Sequence, residues 1–423
     1  MSTLVIIAFI IGYIVIALEH PLKLNKAAPA LFTGVICWTI YMLSGVEQVN
    51  AVKKLLENLH NISAILFFLL GAMTIVELIS RHNGFELITQ KIKTKSKVKL
   101  LWIISFITFF LSAILNNMTT AIVMTSLTAK LLQDKNDRLW FAGMIIIAAN
   151  AGGAFSPIGD VTTTMLWIGK QVTAQNIVAE LFFPALMVCI VPLVIISFKF
   201  RNKTIEHKQI EKLSIDRKAA VTVLFSGIIL LLLVPVFKML TSLPPFMGVL
   251  LALSILWMIV SVINYNKPPD KKKNLTATHA LKHIDTPGLL FFLGILLAVA
   301  AIQSFGMLKQ IAVFLDNSLG NIYMIGTSLG FASAFISNVP LVAATQGMYD
   351  LSTYPTDHPL WEFIALATGT GGSIIVFGSA AGIAAMGIEK IEFMWYLKKI
   401  SLIATAGFIA GILVFIGQKI LFQ

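Results

Sequence analysis

Apolar runs separated by short polar stretches recur along the whole chain. A helix that crosses a bilayer needs roughly 20 mostly apolar residues, so this pattern predicts an all-α polytopic membrane protein. The first run has no basic segment before it and no convincing cleavage site after it, and we expect a retained helix rather than a signal peptide. The clearest runs cover residues 4–18, 27–43, 62–79, 181–198, 219–237, 246–263, 287–302 and 400–416.

Composition and charge agree with this prediction. Of the 423 residues, 57% are hydrophobic and 12% are charged, and the mean hydropathy is +0.87; an average soluble domain carries about 25% charged residues. The formal net charge of +12 does not indicate a nucleic-acid partner, because the basic excess is concentrated in a few loops between apolar runs. Cys37 and Cys189 lie inside apolar runs, where we expect them to pack rather than to form a disulfide.

The basic loops predict the topology. Loops 81–99, 199–218 and 264–285 are rich in Lys and Arg, and the positive-inside rule places them in the cytoplasm. Loop 347–359 contains Asp350 and Asp357 but no Lys or Arg, so we expect it outside. The predicted location is therefore the inner (cytoplasmic) membrane, with the lipid bilayer around a multi-pass chain.

Two stretches are too polar in their middle to be simple spans. Residues 100–132 have a polar tip at 116–120 and a second arm that is short for a full crossing. Two full spans would also return the chain to the cytoplasm before residue 133, so the topology alone does not decide between them and a hairpin. The length and the polar tip favour a re-entrant hairpin entered from the cytoplasm. Residues 320–346 would form a second hairpin, entered from outside. Irregular polar backbone is tolerated at membrane depth where protein or a water-filled cavity surrounds it.

The two halves of the chain share short motifs at a nearly constant spacing. The motif at 112–117 recurs 221 positions later, and the motif at 152–160 recurs 219 positions later. Because the halves have opposite predicted orientations, we interpret them as an inverted-topology repeat, in which broken helices meet at a site near the bilayer midplane. The matching residues are Ser112 and Ser333, Asn117 and Asn338, Gly152 and Gly371, and Asp160 and Ser379.

Segment 148–164 combines helix-breaking residues with the chemistry of a cation ligand. Pro157 removes a backbone donor, and Gly153 and Gly159 permit non-helical dihedrals, so we predict a broken helix here. Asp160 is the one acidic residue that we place well away from an interface, where a charge is costly and indicates function. The alternative is that Asp160 only N-caps the second half-helix, and the two roles are compatible.

Hydroxyl and amide side chains at both hairpin tips and at the second break extend this candidate site. Small polar residues also hold membrane helices together or cap them, and that alternative stays open for each of them. For Asn117 and Asn338, at matching repeat positions, we favour a Na⁺ site shared with Asp160. The second break holds no carboxylate, so the predicted site is lopsided. The other candidates are Asn116, Thr119, Thr120, Ser333, Ser337, Ser373 and Ser379.

Glu77 and a histidine pair each have an ordinary explanation beside a functional one. Glu77 lies one turn from Arg81, which favours an interfacial i, i+4 ion pair, although Glu77 is also our candidate for a secondary proton carrier. His279 and His283 have the spacing of metal ligands, but the third ligand of a metal site is not apparent, and we expect a solvated loop.

Four stretches in one order between residues 112 and 386 resemble the signature of NhaD-type sodium/proton antiporters, within a wider ion-transporter superfamily. The most distinctive is 148–167, and the others are 117–124, 338–344 and 369–386. The resemblance implies an elevator-type fold, with a dimeric scaffold beside a mobile transport domain made of both hairpins and both broken helices. It also implies exchange of Na⁺ or Li⁺ for H⁺ without a cofactor, and an ion site at Asn150, Asp160, Thr162 and Thr163.

The chain departs from this family pattern at two positions. The family usually places an acidic residue immediately before each hairpin asparagine, and here those positions are Asn116 and Ser337. Three outcomes are open: Asp160 carries the coupling alone, another carboxylate such as Glu77 contributes, or this branch moves a different solute.

The sequence therefore predicts a secondary transporter, with Na⁺ and H⁺ competing for Asp160. The nearest alternative is a Na⁺-coupled solute symporter or an anion transporter of the same superfamily. A membrane-embedded enzyme fits less well, because an aspartyl protease needs two apposed aspartates and a rhomboid-like protease needs a His within the spans. The predicted division is N-terminal scaffold and basic segment (1–99), first transport region (100–178), scaffold helices and linking loops (179–319), second transport region (320–388) and C-terminal helix (389–423).

Overall fold

The computed structural model describes residues 1–17, 24–89, 94–205, 216–268 and 272–422, and these ranges are helical almost throughout. Parts of the three basic loops, at 90–93, 206–215 and 269–271, lie outside the described residues. The helices of the first half are α1 (Ser2–Ala17), α2 (Ala27–Met42), α3 (Gln48–Arg81), α4 (Gly84–Thr89), α5 (Lys97–Leu115), α6 (Asn117–Leu131), α7 (Lys135–Ala154), α8 (Val161–Ile168) and α9 (Ala174–Phe200). Those of the second half are α10 (Arg217–Thr241), α11 (Pro245–Ile263), α12 (Ala277–Leu281), α13 (Thr286–Ser304), α14 (Met307–Leu319), α15 (Ile322–Ser333), α16 (Asn338–Met348), α17 (Pro359–Gly371), α18 (Ala380–Glu389), α19 (Phe393–Lys399) and α20 (Ser401–Phe422).

Seven of the described helices are long and apolar enough to cross a bilayer: α3, α5, α9, α10, α11, α13 and α20. Each predicted apolar run coincides with a helix to within one residue of the helix ends, except that residue 18 of the first run lies outside the described residues; the prediction of a multi-pass membrane protein is confirmed. Helix α3 begins at Gln48, well before the run predicted from residue 62, because the helix continues through a polar, largely exposed stretch.

Helix α14 had no counterpart in the sequence analysis. It is amphipathic: Leu308 and Ala312 are buried, whereas Lys309 and Gln310 are exposed. Polar residues interrupt its apolar positions at the helical period, so its longest apolar run, 311–315, is far too short for a span. The prediction from runs therefore passed directly from the span at 287–302 to the stretch at 320–346.

Both predicted helix breaks are present. The first interrupts the chain between the end of α7 at Ala154 and the start of α8 at Val161. The second lies between the end of α17 at Gly371 and the start of α18 at Ala380. The two polar tips are also non-helical: α5 and α6 meet at Asn116, whose φ is 87°, and residues 334–337 separate α15 from α16.

The helices pack in two groups. Helices α1, α2, α3, α10, α11 and α13 contact one another, and the pair of α2 with α13 is the most extensive. The other group contains α5, α6, α7, α9, α15, α17, α18 and α20. Helix α9 begins at Ala174 and continues past residue 179, where we predicted the scaffold range 179–319 to start, and it packs against α7 and α20 of the second group.

Ion pairs tie the second group together at both ends. At one end Lys419 of α20 lies 3.0 Å from Glu180 of α9 and 2.7 Å from Glu362 of α17. At the other end the pairs are Arg138 with Glu389 at 3.1 Å and Lys97 with Asp137 at 2.5 Å. These pairs connect α20 with α9 and α17 at one end, and α7 with α18 and α5 at the other.

The pairs of Lys419 predict a difference between two lysine substitutions. Glu362 is only 1% exposed, and removing one partner of a buried ion pair costs about 3–5 kcal/mol. Lys419→Met should therefore lower the melting temperature of the purified protein strongly. The control is Lys130→Met, because Lys130 is 59% exposed and 3.6 Å from Glu86, and such surface pairs contribute about 0–1 kcal/mol. Equal melting temperatures for the two variants would contradict this prediction.

Candidate functional site

Asp160 stands at the start of the half-helix α8. Its Oδ1 accepts the backbone N–H of Thr162 at 3.1 Å, which makes it the N-cap of that helix. Its carboxyl is 1% exposed. The first turn of a helix offers unpaired N–H groups and the positive end of the dipole, so this position stabilises an ionised carboxylate. The capping role that the sequence offered as an alternative is therefore present.

Amides from the two polar tips converge on the same carboxylate. Nδ2 of Asn117 donates to Oδ2 of Asp160 at 2.6 Å. Nδ2 of Asn338 lies 3.4 Å from Oδ1 and 3.3 Å from Oδ2. The three residues that we predicted to share an ion thus meet in space, although they come from segments far apart in the sequence.

Asn150 links this cluster to the second break. Its Oδ1 accepts Nδ2 of Asn117 at 3.1 Å. Its own Nδ2 donates to the hydroxyl of Ser373 at 2.9 Å and to that of Ser379 at 2.8 Å. Both donors of this fully buried amide bind the second break and its oxygen binds the first tip, so Asn150 fixes the position of the second break relative to that tip.

Equivalent backbone contacts hold each break against its neighbouring tip helix. A Cβ on Gly152 would lie 2.0 Å from the carbonyl oxygen of Phe109, and a Cβ on Gly371 would lie 2.1 Å from that of Gly330. Only glycine permits such close approach, as at other membrane helix contacts. The hydroxyl of Ser333 donates to Thr368 O at 2.7 Å, as Ser112 donates to Ala149 O at 2.5 Å. Ser333 therefore binds a helix carbonyl rather than Asp160.

The threonines predicted at the site have different surroundings. Thr163 donates its hydroxyl to the carbonyl oxygen of Asp160 at 2.9 Å, within the first turn of α8. The hydroxyls of Thr162 and Thr120 are buried and have no hydrogen-bond partner among the described residues. Thr162 lies two residues after Asp160, in the first turn of α8. Thr119 is less buried and lies in a cavity wall.

A cavity of about 390 Å³ extends from Asp160 to the surface. Its inner wall includes both tip asparagines, and its outer part includes Lys26 and Asp285. These last two residues immediately precede α2 and α13. Asn116 and Ser337, the two departures from the family pattern noted in the sequence, also line this cavity.

The remaining candidates lie elsewhere. Glu77 accepts a hydrogen bond from Nε of Arg81 at 2.7 Å, which is the geometry of the i, i+4 pair. His279 and His283 have ring centroids 4.3 Å apart, and no group of three potential metal ligands occurs within the described part of the chain. Tyr13, which the sequence did not indicate, accepts the backbone N–H of Ser337 at 3.0 Å. Nothing local to Tyr13 predicts this contact, because its partner lies in the other half of the chain.

The arrangement can accommodate Asp160 either as an ionised carboxylate or in its protonated, neutral form. In the described geometry both tip asparagines turn their NH₂ groups toward the carboxylate of Asp160. An asparagine side chain also carries a carbonyl oxygen, which accepts rather than donates. Rotation of the two amides would turn their oxygen atoms, instead of their NH₂ groups, toward Asp160. The side chains that now surround the carboxylate with donors would then offer oxygen ligands to a cation bound beside it.

Comparison with known proteins identifies the chain's relatives. Residues 13–369 match the family described as "Citrate transporter". Sodium/proton antiporter 1 of Arabidopsis thaliana is 45% identical over 406 residues, covering 96% of this chain and 70% of the relative. Sodium/proton antiporter 2 of the same plant is 43% identical over 412 residues, covering 96% of this chain and 97% of the relative. The Na(+)/H(+) antiporter NhaD of Alkalimonas amylolytica is 29% identical over 438 residues, covering 96% and 88%. The chain therefore belongs to this transporter family and, within it, to the NhaD-type sodium/proton antiporters.

Proposed function

We propose that the protein exchanges Na⁺ for H⁺ across a membrane, with both ions bound in turn at Asp160. The observation that carries the proposal is one carboxylate, 1% exposed, between two amides at the inner end of a cavity. A buried ionisable group in a membrane protein is costly unless it serves transport or pairing. Two plant relatives and several bacterial relatives are named sodium/proton antiporters, which supports the same function.

Competition for one carboxylate couples the two ions. In the described state the NH₂ groups of Asn117 and Asn338 compensate an ionised Asp160. A Na⁺ ion would draw the amide oxygens inward and add the unpaired hydroxyl of Thr162. A proton on Asp160 removes the charge and leaves the cation with neutral ligands only. Either ion therefore makes the site electrically neutral, and neither binds well beside the other.

Asn150 of α7 and the serines Ser373 and Ser379 of the second break support this site. Asn150 donates to both serine hydroxyls at 2.8–2.9 Å, and Asn150 orients Asn117. In transporters with broken helices the ion binds where half-helices from both repeats meet. The repeated contacts of Ser112 and Ser333, and of Gly152 and Gly371, support an inverted repeat here.

The finer architecture belongs to the same proposal. We infer re-entrant hairpins at 100–132 and 320–346 and an elevator movement of the second helix group against the first. The packing of α9 and α20 with α7 and α17 favours placing both helices in the mobile group, rather than α9 in the scaffold. A homodimeric scaffold, the inner membrane and transport of Li⁺ complete the proposal from the family resemblance.

Na⁺-coupled transport of a solute is the alternative function. The matching family is described as citrate transporters, and the cavity of about 390 Å³ is larger than a bare cation needs. Uptake of Na⁺ that depends on an added carboxylate solute would support this alternative. Dissipation of a pH gradient by Na⁺ alone would support exchange.

Replacing Asp160 tests the proposed site. In everted vesicles, Na⁺ added to the wild type should dissipate a preformed pH gradient, and Asp160→Asn should abolish the response because the amide can neither ionise nor bind a proton. The matched control is Glu77→Gln, which removes a carboxyl that is paired with Arg81 and should leave the response intact. An active Asp160→Asn variant would exclude Asp160 as the coupling residue, and an inactive Glu77→Gln variant would make Glu77 a second carrier.

The stoichiometry of the exchange is a second test. One competing carboxylate moves one Na⁺ for one H⁺, so no net charge crosses the membrane. Movement of one charge contributes about 2.3 kcal/mol per 100 mV, which makes any imbalance visible as voltage dependence. Purified protein in liposomes should exchange Na⁺ for H⁺ without generating a potential and at a rate independent of an imposed one. A potential that builds up during exchange would refute the single-carboxylate mechanism.

A further inference from the structure

Tyr396 reaches the second break from outside the two repeats. It lies in α19, the short linker helix that joins the half-helix α18 to α20, and it is fully buried. Its hydroxyl donates to the carbonyl oxygen of Ser373 at 2.7 Å. The same linker contributes Phe393 to the wall of the cavity that leads to Asp160.

The carbonyl of Ser373 needs such a donor because it lies two residues beyond the end of a helix, where no following helical turn supplies an N–H. Helix α17 ends at Gly371, and the carbonyl groups at a helix end have no partner within the helix. A buried carbonyl without a hydrogen bond is costly. The hydroxyl of Tyr396 meets this need in a region from which water is largely excluded.

Hydroxyls of the half-helix α8 hold the first break. The hydroxyl of Thr164 donates to Pro157 O at 2.9 Å and to Asp160 O at 2.8 Å, and that of Thr163 donates to Asp160 O. At the spacing of 219 positions, the second half has Gly382 and Ile383 in place of these threonines. Neither residue carries a hydroxyl, so these hydrogen bonds have no counterpart in the second break, where the hydroxyl of Tyr396 donates to Ser373 O instead.

Hydrogen bonds connect Tyr396 to the carboxylate of the ion site. Ser373 is held through its carbonyl by Tyr396 and through its hydroxyl by Asn150, at 2.9 Å. Asn150 in turn accepts from Asn117 at 3.1 Å, and Asn117 donates to Asp160 at 2.6 Å. A shift of Ser373 would therefore change how the amide of Asn117 faces the carboxylate.

We propose that Tyr396 is a positioning residue for cation binding, acting on Asp160 through Ser373, Asn150 and Asn117. This inference rests on the proposed Na⁺/H⁺ exchange. It assigns to the linker helix α19 a role in setting the apparent affinity for the cation, without direct contact between Tyr396 and the ion. In this proposal the maximal exchange rate depends on movement between the two helix groups and not on Tyr396.

The test is Tyr396→Phe, which removes one oxygen atom and keeps the buried ring. Na⁺-dependent dissipation of a pH gradient is measured over a range of Na⁺ concentrations with purified protein in liposomes. The half-saturating Na⁺ concentration should rise on the order of fivefold, which corresponds to about 1 kcal/mol, the usual net contribution of one hydrogen bond. The maximal rate should stay within about twofold of the wild type, since a tenfold change would need about 1.4 kcal/mol.

Tyr323→Phe is the matched control. Tyr323 lies in α15 of the same half, and its ring packs against Phe363 and Phe415 at centroid distances of 5.4 and 6.4 Å. This variant loses the same atom from a tyrosine outside the hydrogen-bond chain, so its half-saturating concentration should equal that of the wild type. A wild type without Na⁺-dependent exchange would refute the proposed function itself, whereas an active wild type is required to judge Tyr396.

A double variant separates positioning from simple stabilisation. In the Ser373→Ala background the link to Asn150 is already lost, so adding Tyr396→Phe should change the half-saturating concentration no further, and the two effects should not add. Unchanged half-saturation in Tyr396→Phe, or a lower maximal rate with unchanged half-saturation, would overturn the proposal and leave only a structural role. If the variant is less stable, the Na⁺ dependence of its melting temperature reports affinity on the folded protein and decides between the same outcomes.

Discussion

Burial of one ionisable carboxylate in an apolar helical bundle is the constraint on which the rest of this structure depends. A charge at that depth costs several kcal/mol unless hydrogen-bond donors replace the lost water. Asp160 obtains donors from the first turn of α8 and from the amides of Asn117 and Asn338. An uninterrupted helix pairs its N–H groups internally and offers none of them. The helix breaks and the non-helical tips therefore supply the hydrogen-bond donors that stabilise the buried carboxylate.

The two halves share a backbone arrangement but differ in chemistry. Asp160 and Ser379 both cap half-helices, with nearly identical backbone angles of φ −137°, ψ 150° and φ −136°, ψ 155°. The first half follows its cap with three threonines, and the second follows with alanine and glycine. The resulting site has one carboxylate, and its second half supplies hydroxyls that act through Asn150. This asymmetry leaves Asp160 as the one carboxylate of the proposed site, the group for which we propose that Na⁺ and H⁺ compete.

Local patterns determined the membrane character, the helix breaks and the choice of Asp160. Apolar runs, the positions of Pro157, Gly153 and Gly159, and the rarity of acids within the spans are properties of short segments. Interactions within a short segment determine these properties. Backbone hydrogen bonds in a bilayer must be satisfied within the helix, and a buried charge is costly wherever it lies. The spacing of the repeat also located Asn117 and Asn338, whose amides do meet at Asp160.

Only the tertiary structure decided which polar side chains face that carboxylate. Ser333 and Asn338 occupy the same tip region, yet the first binds a helix carbonyl and the second reaches Asp160. Glu77 pairs with Arg81, Tyr396 reaches Ser373, and α9 packs with α20, none of which follows from a local pattern. The physical reason is that these contacts join residues from separate helices, and their distances depend on how whole helices pack. The sequence by itself therefore determined a membrane protein with one deep carboxylate, and packing between distant helices decided the composition of its site.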